Sequence, residues 1–308
     1  SYLGLTACSA NKNQGLFSMF KKLLLIFVLH LSMLFFGNTA QALSIKIGHN
    51  DTSYDGATAA LFKVVFERSG YNVSEIKGDS DVLLSMLERG EIDFYLSAWL
   101  PGRDAESFAV YQENLTLVTP LYENASSFFA VPRYIPQSIV STIEDLSKPE
   151  VIERMNKTIV LDERDRALGK LTKHSFETYS LTTSGYDLMT MTSQDWSADL
   201  TRRLEEKVWF AVPMTKPHLL NLTKKFRVIK DSQEAFGGRD TAWLVANKKT
   251  QKKIASHIFE IISKMELSTK WVAEIDQMAF ENDWPHYVAA RVWMAAHPYT
   301  IEYWISSE

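Results

Sequence analysis

The chain has 308 residues, 46% of them hydrophobic and 23% charged, with a formal net charge of −4. That length can bury a sizeable core in about two domains, and the composition is that of an ordinary globular protein. The slight acidity, with no lysine- or arginine-rich block longer than two residues, excludes the electrostatic footprint of a nucleic-acid binder.

Residues 1–18 resemble neither a leader nor a domain, although Leu5-Thr6-Ala7-Cys8 has the form of a lipoprotein cleavage box. Met19-Phe20-Lys21-Lys22, the apolar run 23–36 and the small residues Ala40 and Ala42 then make the three parts of a secretory signal. Residues 19–42 are therefore expected to direct export to a bacterial periplasm, with cleavage after Ala42. The apolar run is shorter than the roughly 20 residues of a spanning helix; if retained, it would act as an anchor. Cys8 is the only cysteine, so the chain from Leu43 onward can hold no disulfide, thiolate metal site or cysteine nucleophile.

From there the pattern alternates. Residues 43–48 read as a strand, 57–69 as a helix closed by Gly70, and 71–76 as a second strand. A helix capped by Asp79 or Ser80 closes at Gly90, and a third strand runs to Trp99. Strand, helix, strand, helix, strand is the signature of a parallel α/β sheet. The third strand ends abruptly at Trp99-Leu100-Pro101-Gly102. Ligands collect past the carboxyl ends of such strands, so Trp99 is either a lid on the core or the floor of a pocket. Residues 115–121 and 126–131 are two further extended segments. A second α/β unit follows, with strands at 158–161, 186–191 and 208–212 and helices at 167–178 and 194–206. Residues 226–229 are short and extended, and 241–246 form a strand returning to the first unit. Helices at 253–265, 268–280 and 285–296, and a closing segment at 298–304, complete the chain. The expected layout is residues 1–42 as leader and upstream sequence, 43–131 with 241–308 as one lobe, and 132–240 as the other.

No HExxH, GxSxG, P-loop or GxGxxG is present. Asp162, Glu163 and Asp165 flank Arg164 and Arg166 at a helix opening, where capping and solvated charge are the favoured reading over a site. His218 follows Pro217 past a strand end and has both a pocket and a structural reading; the other histidines show no metal-ligand spacing. Trp271, Trp284, Trp293 and Trp304 read as core of the C-terminal helices, Trp196 and Trp209 as packing, and Trp243 as core. Tyr54 and Tyr122 stand at strand ends, where a ring meets either core or ligand.

Several of these motifs, in their order, resemble one family. They are Trp99-Leu100-Pro101 after Asp93, Val131-Pro132-Arg133-Tyr134, Ile143-Glu144-Asp145-Leu146, Pro217-His218, Phe236-Gly237-Gly238 with Asp240, and the closing segment from Trp293 through Pro298 to Trp304. The chain is similar over about 44–305 to the substrate-binding proteins of ABC importers for glycine betaine, proline betaine, choline and carnitine. The resemblance implies an α/β, two-lobe periplasmic binding protein of the type II kind, with two hinge strands and C-terminal helices. It also implies a ligand held between the lobes by aromatic rings around a quaternary ammonium, with Trp99 as the first-lobe ring. Such rings attract a cation that has no hydrogen bond to give, by about 0.5–2 kcal/mol per contact. Two departures are visible. Thr215 stands where the family commonly has Trp, and the usually glycine-rich segment after the 158–161 strand is Asp162-Glu163-Arg164-Asp165. A less methylated amine or an amino-acid-like zwitterion would suit these charges.

The expected ligand contacts are Trp99, Tyr54, Asp51 and Tyr122 from the first lobe, and Arg164, Asp165, Thr215 and His218 from the second. The expected role is a non-catalytic receptor, monomeric and without metal or cofactor, that delivers a small amine or zwitterion to ABC permease subunits in osmoprotection. A membrane-tethered ligand sensor and an enzyme on the same fold are the alternatives. All of this supposes that the Trp99 ring faces a cleft between the lobes.

Overall fold

The computed structural model describes residues 43–251 and 254–306, so the expected leader at 19–42 lies outside the described residues. Strand β1 (Ser44–Asn50) lies between β2 (Asn72–Gly78) and β3 (Phe94–Leu100), parallel to both. Parallel neighbours need crossovers, here α1 (Ser53–Arg68) and α2 (Ser80–Arg89). Helix α1 starts where the Thr52 hydroxyl accepts the Asp55 N–H at 3.3 Å, and α2 ends at Gly90, whose φ of 75° glycine adopts without strain. A helix not anticipated from the sequence, α3 (Ala105–Tyr111), follows the turn after Trp99. None of its residues is fully buried, but Phe108 and Tyr111, one turn apart, pack against the apolar cluster of Leu83, Leu87 and Tyr95.

The segments expected at 115–121 and 126–131 form a single strand, β4 (Leu115–Pro132). It pairs antiparallel with β9 (Arg239–Asn247), with irregularities that include the Tyr122–Ala125 step, which is why its apolar alternation breaks there. Its far half pairs with β7 (Val212–Lys216) and β8 (Phe226–Val228). The sheet runs β2-β1-β3-β9-β4-β7. The strand expected at 208–212 is thus displaced toward 212–216. Pro213 is tolerated inside β7 because the strand is last in the order and its missing N–H breaks no central ladder. Strands β5 (Thr158–Asp162) and β6 (Asp187–Met191) make a separate parallel pair crossed by α4 (Arg166–Thr178), and α5 (Ser193–Glu205) follows.

Apolar side chains gather in separate cores. One, which includes Ile47, Phe62, Phe94 and Trp99, continues into the C-terminal helices α6 (Ser256–Lys264), α7 (Thr269–Asn282), α8 (His286–Ala296) and α9 (Pro298–Ile305). A smaller one around Leu83, Leu87 and Tyr95 belongs to the same body. Two others, around Phe129, Ile159 and Phe236 and around Val160, Phe210 and Met214, draw only on residues between Phe128 and Phe236. These bodies are the two lobes of the mixed α/β fold. Trp293 and Trp304 are buried as expected of core, and Trp271 lies 5.2 Å from Trp293. Trp284 is 38% exposed instead, because it follows the left-handed Asp283 that ends α7 and so leaves the helix's apolar stripe. Among the described residues no helix is long and apolar enough to cross a membrane.

Candidate functional site

The lobes meet over the first turn of α1. The Tyr54 hydroxyl donates to Asp165 Oδ2 at 3.0 Å. Asp165 is itself the N-cap of α4, accepting the Leu168 N–H at 3.0 Å on its other oxygen. Alongside, Asp276 of α7 accepts the Ser53 hydroxyl at 3.2 Å and the Leu219 N–H at 3.3 Å, so a first-lobe carboxylate grips a second-lobe turn. Arg166 and Asp79 pair at 2.8 Å on the exposed rim. The space left between Ser53, Tyr54, Asp165, Trp196, Thr215 and His218 is only about 30 Å³, room for one or two waters. The structure is thus a closed one.

The second-lobe wall is aromatic and polar. Trp196, in the first turn of α5, meets His218 edge to face at 5.7 Å, and its indole N–H is buried without a partner. His218 Nδ1 accepts the Leu220 N–H at 3.1 Å, which leaves the proton of a neutral ring on Nε2. Burial lowers its pKa, against the pull of Asp276, Asp165 and Asp162. Burial likewise raises the pKa of Asp165, although the Leu168 N–H, Arg103 and Tyr54 all favour its ionised form. Thr215 is buried and gives its hydroxyl to the Pro217 carbonyl at 3.3 Å. Arg164 lines the cleft but turns its guanidinium onto Asp162 at 3.2 Å. Carboxylate acceptors, a guanidinium, an imidazole and a free indole N–H together can hold both ends of a small zwitterion.

Behind Tyr54 lies a second cluster. The Tyr54 and Trp99 rings are 5.6 Å apart, and Trp99 Nε1 donates to the Tyr122 hydroxyl at 3.1 Å. The outer face of Trp99 is covered by Arg103, whose Cζ sits 4.1 Å from the ring centre.

A family model describing the substrate-binding domain of ABC-type glycine betaine transport systems matches residues 44–296. The chain belongs to that family. Among solved structures, the glycine betaine/L-proline-binding protein ProX of Borrelia burgdorferi aligns with a TM-score of 0.75 at 20% identity, covering 86% of this chain and 97% of that one. Lactococcal OpuAC, closed on glycine betaine, aligns with a TM-score of 0.75 at 19% identity, covering 86% and 100%. A choline-binding protein of an ABC transporter, in complex with choline, gives 0.73 at 16%, covering 87% and 93%. These likenesses establish the two-lobe periplasmic binding fold. No curated protein matches by sequence.

Within this glycine betaine-binding family fold, the residues singled out in the sequence separate into groups. Tyr54, Arg164, Asp165, Thr215 and His218 come together at the cleft. Trp99 and Tyr122 are in contact but lie behind it, both buried. The expected open indole is a point of correction: Trp99 is 0% exposed because Arg103 and Tyr54 cover it. Asp51 is also apart from the cluster, exposed on the surface and 3.7 Å from Lys77. Sequence reasoning overlooked Trp196, assigned to packing, and Arg103 with its partners Asp55 and Asp104. The arginine–aspartate pair directly after Trp-Leu-Pro-Gly is visible in the sequence, but the fold-back of its guanidinium over the ring is not.

Proposed function

We propose that this protein is an exported solute-binding protein that captures glycine betaine or a related small zwitterionic amine between its lobes and hands it to an ABC permease. Family membership supports the class of role. The observation that carries the reading for this chain is the Tyr54–Asp165 hydrogen bond across the cleft. It joins the lobes beside Trp196 and His218, on groups that suit an ammonium and a carboxylate. Closure then follows from contacts that both lobes make only when together, and the ligand shifts the equilibrium by its preference for that state. The lobes are taken as residues 43–131 with 241–308, and 132–240. β4 and β9 are the hinge strands, and the secretory leader at 19–42 takes the chain to the periplasm.

Calorimetric titration of the purified protein with glycine betaine, its less methylated forms, proline, choline and carnitine tests this. The expected result is saturable binding of one solute per chain, about micromolar or tighter, with the ligand recovered unchanged. Failure to bind any of them, or turnover of one, overturns the reading.

A further inference from the structure

The first lobe contains a complete cation site that the chain fills with its own side chain. Arg103 lies over Trp99 at 4.1 Å. Its Nη2 donates to the Ser97 carbonyl at 2.7 Å and to Asp104 Oδ2 at 2.8 Å, and its Nε donates to the same carboxylate oxygen at 3.1 Å. Its Nη1 lies 3.6 Å from Asp55 Oδ2 and 3.5 Å from the Tyr54 hydroxyl. The Arg103 side chain is 1% exposed. The backbone is shaped for this arrangement. Ser97 sits at φ 65° in a bulge of β3, which turns its carbonyl inward. Asp240 accepts the N–H groups of Gly102 at 2.5 Å and Arg103 at 3.1 Å, pinning the turn that carries the guanidinium.

We propose that Arg103 is a specificity-determining residue: its guanidinium holds the ring-and-carboxylate pocket against fully methylated ammonium groups, so the ligand amine binds at Asp165 in the cleft and must carry an N–H, which narrows the reading above from glycine betaine to its less methylated relatives. A quaternary ammonium needs ring faces and nearby negative charge. Trp99, Asp55 and Asp104 offer both, but Arg103 occupies them. Expelling it would break hydrogen bonds to Asp104 and Ser97 that a ligand without N–H cannot replace, leaving buried acceptors unmatched. In the cleft the balance is reversed. Of the aromatic rings there, Trp196 is held edge to face against His218 and Tyr54 packs against Trp99. Asp165 takes one hydrogen bond on each oxygen, and each oxygen has a second lone pair for an ammonium N–H.

The inference rests on the cleft being the ligand site, but its first test probes the pocket alone. Tetramethylammonium is titrated calorimetrically, with thermal shift alongside, into the full chain and into R103A, which leaves Asp55 and Asp104 in place. The wild type is expected not to respond at millimolar concentrations. R103A is expected to bind at least about a hundredfold more tightly, while R103Q, which refills the pocket without charge, gains nothing. Tetramethylammonium binding as tightly to wild type as to R103A, or no gain in folded R103A, overturns the proposal; R103S replaces R103A if that variant does not fold. A second test needs no variant. Across glycine and its mono-, di- and trimethylated forms, wild-type affinity should collapse at the last methyl, and affinity rising through that step overturns the proposal. Silence of the wild type toward every solute speaks against the cleft as receptor site and leaves the tetramethylammonium comparison intact.

Discussion

Tyr54 serves two surfaces with one side chain. Its ring covers Trp99 in the first lobe, while its hydroxyl reaches Asp165 in the second. Burial, and then the charge of Asp165, hold its pKa well above the usual phenol value, so the hydroxyl remains a donor at any pH the protein meets. Y54F keeps the packing and removes the clasp, along with the long 3.5 Å contact from Arg103 Nη1. A buried hydrogen bond to a charged acceptor contributes about 1.5–3 kcal/mol. If that stabilisation belongs to the closed state, ligand affinity should fall about tenfold or more, with little change in thermal stability. Titration of the two proteins side by side checks this, and equal affinities would remove Tyr54 from the closing contacts. At this scale the sequence was legible in part. Tyr54, Asp165, Thr215 and His218 stand beside strand ends or helix openings, where ligands collect. Arg103 was not legible, because nothing in Trp-Leu-Pro-Gly-Arg-Asp says that the side chain folds back over the ring. That depends on Asp240 and Ser97, which reach the turn from β9 and from the bulge in β3.

Among the elements, the strand–helix alternation as far as Trp99 could be read because periods of 2 and 3.6 separate cleanly there. β4 read as two pieces because Pro120 and Glu123-Asn124 interrupt the apolar pattern, whereas the folded strand passes through them on irregular pairing. β7 read as ending where it begins, since Pro213 signals a break unless the strand is known to lie at the end of the sheet order. Helix α4 matters most for function, because its N-cap is also the cross-cleft acceptor. The carboxylate of Asp165 must be ionised to hold an ammonium group, yet burial raises its pKa. The sign follows directly. As pH falls, Asp165 takes up a proton at a higher pH than an ordinary aspartate, near 3.9, and the charge facing the ligand is lost there. Affinity for an amine should therefore be flat near neutrality and fall on acidification before ordinary aspartates titrate. D165N keeps an oxygen for the cap, so the fold should persist while affinity drops and its acid dependence flattens. Titrations at stepped pH check this; an unchanged slope in D165N would move the titrating group elsewhere.

The whole molecule is held closed by contacts of unequal worth. The Arg166–Asp79 pair is exposed at the rim, and such pairs contribute about 0–1 kcal/mol and weaken with salt. The Asp276 contacts are different, because that carboxylate is 1% exposed and serves Ser53, Leu219 and, at 3.2 Å, His286 together. A space of about 30 Å³ admits no amino-acid-sized solute, so the lobes must part before a ligand enters and the closing contacts set how often they do. Where these contacts re-form around a bound ligand, loosening them destabilises the closed, liganded state relative to the open one and lowers apparent affinity. D276A removes the acceptor for the Leu219 N–H without touching the Tyr54–Asp165 clasp. Small-angle scattering of unliganded D276A should give a larger radius of gyration than wild type, and saturating ligand should bring the two back together. R166A, which removes only the rim pair, should leave the radius unchanged. If D276A and wild type scatter alike without ligand while D276A remains folded by circular dichroism, Asp276 holds α7 to its own lobe through Ser53 and His286 and takes no part in closing the cleft.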